Sequence, residues 1–309
     1  MIKAVILAAG VGSRLESLTK DKPKSLIKVN GIPIIKYQID AYLNAGVNKI
    51  YVVLGYKSEI LKNYIELNYS GKIEFIYNDL YAKTNNMYSL WLCNKFINKS
   101  QNVFISNADV VFDKSIITNM INVKQSLIAC DNTQYNDESM KISINSEGEI
   151  IDISKSISKK EADACSIDLY SFDEKGIEVL MNEISNIIET DKNQWTELAI
   201  QKVLKEKKIK AFPIFLEKKE RWFEIDNIND LISADSLFSN LKFSEKKNYI
   251  FDLDGTLYVG ENLIDGSIDL INLLNSKKIN TYFVSNNSSK SKSEYVSKLK
   301  KMGFKVKKN

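Results

Sequence analysis

A largely apolar run, IKAVILA at residues 2–8 with Lys3 its one charge, ends in a glycine pair, Gly10 and Gly12. A run apolar on both sides of its pleat, rich in β-branched residues, reads as a strand inside a sheet covered on both faces. The glycines let the backbone turn sharply and pass close to whatever lies beyond the strand end. The pattern then repeats. Helical spacing covers 33–45 and closes at Gly46, a buried strand follows at 49–56, a helix near 58–67, and strands at 72–79 and 102–113. Strand–helix alternation with short connections predicts a mostly parallel α/β sheet, whose ligands bind beyond the carboxyl ends of the strands.

From about residue 127 the pattern changes. SLIACD, MKISINSEGEIIDIS and ACSIDLYSF read as antiparallel strands, with Glu147-Gly148 as a hairpin turn. Helices are expected at 175–189 and 196–206, a strand at IKAFPIFL, and a strand and a helix within 221–241. The polar KFSEKKN (242–248) separates this unit from a new strand–loop–helix–strand pattern that starts at Tyr249. The expected organisation is a domain at 1–243, a linker at 244–248 and a second, partial α/β domain at 249–309.

Composition narrows the chemistry. The chain of 309 residues contains no histidine, so His-based triads, His-ligated zinc and imidazole acid–base work are excluded. Carboxylates, lysine, arginine, backbone amides and a hard metal remain. The net charge is +4, and the lysines of the C-terminal tail alternate with a helical apolar pattern, which reads as a solvated helix face rather than a nucleic-acid patch. No apolar run spans a membrane, and Met1 leads straight into a strand-like run without a secretion signal. Three widely spaced cysteines, Cys93, Cys130 and Cys165, fit free thiols in a reduced cytoplasmic setting.

The stretch LAAGVGSRLESLTKDKPKSL (7–26) carries the chemistry. Gly10 and Gly12 turn loop amides toward phosphate oxygens. Ser13 adds a hydroxyl donor, Arg14 a forked cation, and Lys24, set by Pro23, a second cation on the same loop. Further along, Asp109 and Asp226 each follow a strand-like run, and each has a plain reading, Asp109 as a strand-end turn residue and Asp226 as the N-cap of a helix at 228–239. Asn85 and Asn86 read equally as turn residues, and Tyr56 as packing.

The loop resembles the signature of the sugar-phosphate-type nucleotidyltransferases, L-A-A-G-x-G-S/T-R-L followed by T-x-x-x-P-K-x-L. YNDLYAKTNNMYSLWL (77–92) resembles the matching segment of the cytidylyltransferases that activate phosphocholine and similar small phosphorylated compounds. The matches run in family order across about residues 1–240. The resemblance implies a Rossmann-like nucleotidyltransferase sheet with an antiparallel insertion. Leu7, Ala8, Ala9, Gly10, Gly12, Ser13, Tyr56, Asn85, Asn86 and Ser89 would hold the nucleotide, and Asp109 and Asp226 would hold Mg2+. Lys24 and Arg14 would do the catalytic work. It further implies a cytoplasmic enzyme using CTP and a small phosphorylated acceptor, with no nucleic-acid or membrane partner, a homo-oligomer being open. Its product class is an activated head-group precursor of cell-surface polysaccharide or lipid.

Sugar-activating members carry a Glu-Lys-Pro element, absent here from DISKSISKKEADACSIDLYSF, although Lys155 is present. YNDESMKISI (135–144) resembles the acceptor element of aminophosphonate cytidylyltransferases, which puts Lys141 on the acceptor beside Lys155 and Trp195. A solvated strand lysine is the other reading of Lys141. An aromatic cage for a quaternary amine could draw on Tyr135, Tyr170, Trp195 and Trp222. A sugar-1-phosphate nucleotidyltransferase and a catalytically silent nucleotide-binding module are the alternative functions.

The segment FDLDGTLYVG (251–260), followed by YFVSNNSS (282–289), resembles the first two motifs of haloacid dehalogenase-like phosphatases of the nitrophenyl-phosphatase-related group. Asp252 would be the nucleophile, Asp254 its acid–base partner and Ser285 a phosphate donor. The later lysine, acidic pair and cap are not in the sequence, so this segment is expected to be inactive by itself.

Overall fold

A computed structural model of the chain describes residues 1–133, 135, 137–239, 248–287 and 291–306. The chain divides into two compact units, Met1–Phe238 and Ser239–Asn309. The expected linker falls almost wholly outside the described residues. No helix among those described is long and apolar enough to cross a membrane.

The first unit opens with β1 (Ile2–Ala8), the short helix α1 (Glu16–Thr19) and a small ribbon of β2 (Lys28–Val29) with β3 (Ile32–Pro33). Next come α2 (Ile34–Asn44), β4 (Lys49–Leu54), α3 (Ser58–Asn68), β5 (Ile73–Tyr77), α4 (Asn86–Trp91) and α5 (Asn94–Ile97). After β6 (Asn102–Asn107) and β7 (Val110–Phe112) follow α6 (Lys114–Met120), β8 (Ser126–Asp131), β9 (Lys141–Ile144), β10 (Ile150–Ser154) and β11 (Ala164–Asp173). The unit closes with α7 (Glu174–Thr190), α8 (Thr196–Lys205), β12 (Ala211–Phe215), β13 (Trp222–Glu224) and α9 (Ile228–Phe238).

A nine-stranded sheet runs β10-β9-β11-β6-β1-β4-β5, with β8 on β11 and β12 on β8. β6, β1, β4 and β5 are parallel, and β11 enters antiparallel to β6, β8 and β9. Period-2 alternation, with both faces covered, explains why β1 is apolar from Ala4 onward. Val5 and Leu7 pack with Met87, Leu90 and Leu180 on one face, while Ala4 and Ile6 pack with Ile35, Ile39 and Ile117 on the other. Glu147-Gly148 does form the β9–β10 turn, with Gly148 at φ +81° and the Asn145 amide on the Glu149 carbonyl. Cys93, Cys130 and Cys165 are buried.

One expectation is corrected. Residues 102–113 do not make a single strand: the chain leaves the main sheet after Asn107 and re-forms as β7, paired with β13 in a separate two-stranded ribbon. The Asp109 carbonyl accepts the Ile225 amide at 3.0 Å, so the ribbon continues to the break.

In the second unit β14 (Asn248–Asp252) pairs in parallel with β17 (Asn280–Val284). Between them lie the hairpin β15 (Tyr258–Val259) and β16 (Asn262–Leu263) and helix α10 (Ser267–Ser276), and α11 (Lys292–Lys301) follows. Leu253, Leu257, Tyr258, Ile271, Leu274 and Leu299 form its core.

Candidate active site

Beyond the carboxyl ends of β1 and β6 lies a cleft of about 420 Å3. Its first wall is the glycine loop. Gly12 sits at φ +67°, and a Cβ there would press on Lys24 Cβ at 3.0 Å, so glycine is required both for the turn and for the approach of the lysine. Gly55 is equally fixed, because a Cβ would meet the Ala9 carbonyl oxygen at 2.6 Å. Thr19 Oγ1 donates to the Gly12 carbonyl at 3.2 Å and to that of Leu15 at 3.1 Å. Leu7, Ala8, Ala9, Gly10, Gly12, Ser13, Arg14 and Lys24 all line the cleft.

Lys24 is the centre of the site. Its Nζ lies 2.8 Å from Asp109 Oδ2 and 3.0 Å from Asp226 Oδ1, with the side chain only 14% exposed. Burial, the largest single influence, disfavours the ammonium, but Asp109 and Asp226 together outweigh it and hold the Lys24 pKa above the usual lysine value. Arg14 Nη1 reaches Asp226 Oδ2 at 3.0 Å from a side chain that is otherwise 71% exposed. The N-cap reading of Asp226 does not hold. Asn227 Oδ1 takes the Asp230 amide, and Asp230 takes the amides of Asp226 and Asn227, which leaves the Asp226 carboxylate for the two cations.

A third carboxylate belongs here that the sequence reading missed. Oxygens of Asp109, Glu224 and Asp226 lie within 4.8 Å of one another. Burial between the cleft walls, then the charges of Asp168, Asp109 and Asp226, push the Glu224 carboxyl up to about 9. The side chain is nevertheless exposed by area, so charge crowding is the firmer of the two causes. Glu224 lies two residues before Asp226, the spacing that puts alternate residues of an extended chain on one side; that was the available signal. Asp109 Oδ1 is buried and has no hydrogen-bond partner. Three converging carboxylates with one orphaned oxygen, acid-rich and all-oxygen, fit a hard divalent cation such as Mg2+.

The opposite wall comes from α4, β6, β11 and α8. Asn85 caps α4. Asn86 Nδ2 donates to Asn107 Oδ1 at 3.2 Å, and Ser89 Oγ accepts Asn78 Nδ2 at 3.0 Å. Asp168, Glu197, Asn78 and Asn107 also line the cleft, although the sequence reading gave them no role there. Burial and then Glu197 push Asp168 up to about 7, and burial raises Glu197 as well.

At the far end, Lys155 Nζ stands 5.3 Å over the ring of Trp195 and 3.5 Å from Glu138. Both Lys155 and Trp195 line the cleft, with Trp195 half exposed. Two candidates do not reach it. Lys141 is 1% exposed, and its Nζ donates to the carbonyls of Asp137 and Ser139. It therefore ties down the loop before β9 and presents no charge to an acceptor. The Tyr56 hydroxyl donates to the carbonyls of Thr19 and Lys20, bracing the loop from outside. Nor do the four aromatic candidates converge. Trp195 and Trp222 line the cleft, whereas Tyr170 is buried behind Asp168 and Glu197, and the Tyr135 hydroxyl is held by the Ala162 carbonyl.

In the second unit, Asp252 ends β14 opposite Val284, so Ser285 follows on the neighbouring strand end. Ser285 Oγ accepts the Asn287 amide and donates to the Tyr295 hydroxyl. Asp254 makes a bridge to Tyr258.

Comparison with known proteins agrees with this geometry. The nucleotidyl transferase family profile matches residues 3–240, and the haloacid dehalogenase-like hydrolase profile matches residues 249–309. CTP:phosphoglutamine cytidylyltransferase of Campylobacter jejuni is 41% identical over 130 residues, 41% of this chain and 51% of that protein. Choline-phosphate cytidylyltransferase of Streptococcus pneumoniae is 37% identical over 118 residues, 38% of this chain and 49% of that protein. The chain thus spans about half the length of these curated relatives. A solved structure of CTP:phosphocholine cytidylyltransferase from S. pneumoniae superposes with a TM-score of 0.65 at 25% identity, covering 77% of this chain and 99% of that one.

Proposed function

The chain belongs to the nucleotidyl transferase family, and from that premise we propose that it transfers CMP from CTP to a small phosphorylated or phosphonylated acceptor. Pyrophosphate is released and Mg2+ is required. Acceptors of the phosphocholine, phosphoethanolamine, aminoethylphosphonate, phospho-amino-acid amide or glycerol phosphate type fall within the reading. The observation that carries it is Lys24, clasped between Asp109 and Asp226 beside the glycine loop. Both cytidylyltransferase relatives point to CTP.

An anionic oxygen of the acceptor attacks the α-phosphorus. The new P–O bond forms as the bond to the β-phosphate oxygen breaks, and pyrophosphate carries away the electron pair. The nucleophile is already deprotonated, so a chain without histidine lacks nothing for this step. What the protein supplies is in-line placement and charge balance. The amides of Gly10, Gly12 and Ser13 and the Arg14 guanidinium hold the β- and γ-phosphates of the leaving group. Lys24 leaves its carboxylates to bridge the incoming oxygen and the α-phosphate. Asn85, Asn86 and Ser89 receive the nucleoside, and Lys155 and Trp195 meet the acceptor. Asp109 and Asp226, with Glu224, are the residues that would hold Mg2+, whose chemistry when bound is neutralisation of triphosphate charge.

Pyrophosphate release with CTP, UTP, dTTP, ATP and GTP, each against small phospho-acceptors, aminophosphonates and hexose 1-phosphates, tests the reading. Release with CTP and one small acceptor supports it. Release only with a hexose 1-phosphate assigns the chain to sugar activation instead, and CTP binding without turnover makes it a nucleotide-binding module.

A further inference from the structure

In the cleft wall the side chains of Asn86, Asn107, Asp168 and Glu197, with Tyr170 behind them, form a hydrogen-bonded ring that closes through the Thr196 amide. The Tyr170 hydroxyl lies 3.1 Å from Asp168 Oδ1 and 3.0 Å from Glu197 Oε1. Asn107 Nδ2 donates to Asp168 Oδ2 at 3.0 Å, Asn86 Nδ2 donates to Asn107 Oδ1, and Asn86 Oδ1 accepts the amide of Thr196, the residue before Glu197. Tyr170 is 1% exposed and Glu197 5%. None of the steps assigned to the reaction uses Tyr170 or Glu197.

Donor and acceptor bookkeeping gives the ring a direction. Asp168 meets Tyr170 through Oδ1 and accepts from Asn107 Nδ2 through Oδ2, which sets the NH2 end of the Asn107 amide toward Asp168. Asn107 Oδ1 must then accept from Asn86 Nδ2, and Asn86 Oδ1 is left to accept the Thr196 amide, which it does at 2.8 Å. That last bond caps the start of α8, where Trp195 makes no side-chain cap of its own. The amides of Asn85 and Met87 reach the carbonyls of Lys192 and Gln194 across the same seam. The ring therefore fastens α4, on the nucleotide side, to the α8 start that carries Trp195.

We propose that Tyr170 is a positioning residue. Its hydroxyl bridges Asp168 and Glu197 and so sets the orientation of the Asn107 and Asn86 amides on the wall that receives the nucleotide. One hydroxyl proton serves one of its two carboxyl partners, and the second contact is a hydrogen bond only if one carboxyl keeps its own proton. The raised pKa values of both acids agree with a shared proton. A phenylalanine at 170 leaves two buried carboxyls facing each other with the bridge removed, while the ring volume stays filled.

The test uses the full chain as wild type, Tyr170→Phe and Ile177→Ala, the last a core truncation within α7 that leaves the ring intact. Hydrogen exchange of the ligand-free protein comes first. For Tyr170→Phe the amides of 85–91 and 194–200 are expected to exchange about 10- to 100-fold faster, the range for a hydrogen bond to a charged group, with β1 and β4 unchanged. Ile177→Ala speeds exchange broadly instead. Kinetics follow, and this arm rests on the cytidylyl-transfer reading. Tyr170→Phe raises the KM for CTP about 10-fold or more while kcat and the acceptor KM change less, and Ile177→Ala shows no such split. Unchanged exchange in the two segments, or an unchanged CTP KM in a folded Tyr170→Phe protein, overturns the proposal. A wild-type chain that releases no pyrophosphate refutes the function reading alone, and the exchange arm still decides the role of Tyr170.

Discussion

Replacing Lys24 by methionine keeps the length of the side chain and deletes its charge. Each carboxylate stands about 3 Å from the ammonium, which at an effective dielectric near 20 gives about 5 kcal/mol of attraction per contact. Burial of the ammonium takes most of that back, and removing one partner from such a partly buried cluster leaves a net loss of about 3 kcal/mol. For a unit of this size the expected fall in Tm is about 6–12 °C without added metal. Saturating Mg2+ should recover much of it, because a divalent cation takes over the charge balance of Asp109, Glu224 and Asp226. The Lys24 pKa is raised, so its stabilisation is complete below the ordinary lysine value of 10.5 and is lost only as pH climbs through the higher folded value. The neutral range therefore shows the full effect. Calorimetric melting with and without Mg2+ reads the stability arm. The catalytic arm is pyrophosphate release set beside CTP binding: kcat should fall about 10³-fold or more while the CTP Kd moves less than about 10-fold. An unchanged Tm without metal, or equal losses in turnover and CTP affinity, refutes the placement of Lys24 between nucleophile and α-phosphate.

Three more outcomes are expected. Lys155→Ala should raise the acceptor KM with little effect on CTP, whereas Lys141→Met should cost about 2 kcal/mol of stability by freeing two carbonyls and leave the acceptor KM alone; steady-state kinetics with melting curves separates the two. Asp168 titrates from about 7 in the fold against 3.8 in the free chain. The folded protein thus holds a proton the unfolded chain has released, this group makes the fold less stable as pH rises through that window, and Asp168→Asn should flatten the decline in denaturant titrations at stepped pH. Chelation should stop pyrophosphate release, and Asp109→Asn or Asp226→Asn should abolish restoration by Mg2+ at concentrations that restore the wild type.

How far the cleft could be read in advance depended on whether a residue's neighbours in sequence were also its neighbours in space. The glycine loop is local, and Gly12, Arg14 and Lys24 lie close together in both senses. β1 and β4 were equally legible, because burial on both faces leaves a nearly continuous apolar run. The break after Asn107 was not, since apolar runs stand on both sides of SNAD and a short polar interruption does not say that the chain changes sheet. Lys141 misled because a strand lysine is normally solvated; its burial depends on carbonyls of a loop whose path the sequence does not reveal. Asp168 did leave a trace, a carboxylate inside the apolar ACSIDLYSF. Its φ of +57°, at a register shift between Ser166 and Tyr170, is a tertiary event without a sequence signature.

The pairing of β7 with β13 bears on the order in which the protein can be made. Lys24 and Asp226 are 202 residues apart in the chain, and the ribbon that holds Glu224 and Asp226 beside Asp109 comes near the end of the first unit. A chain emerging from its first residue builds the phosphate loop early and acquires Glu224 and Asp226 only when that unit is nearly complete. Until then Lys24 has Asp109 as its single acidic neighbour, and there is no carboxylate cluster to take up a divalent ion. Assembly of the carboxylate cluster at this cleft is therefore a late event in maturation, and it marks the completion of the first unit.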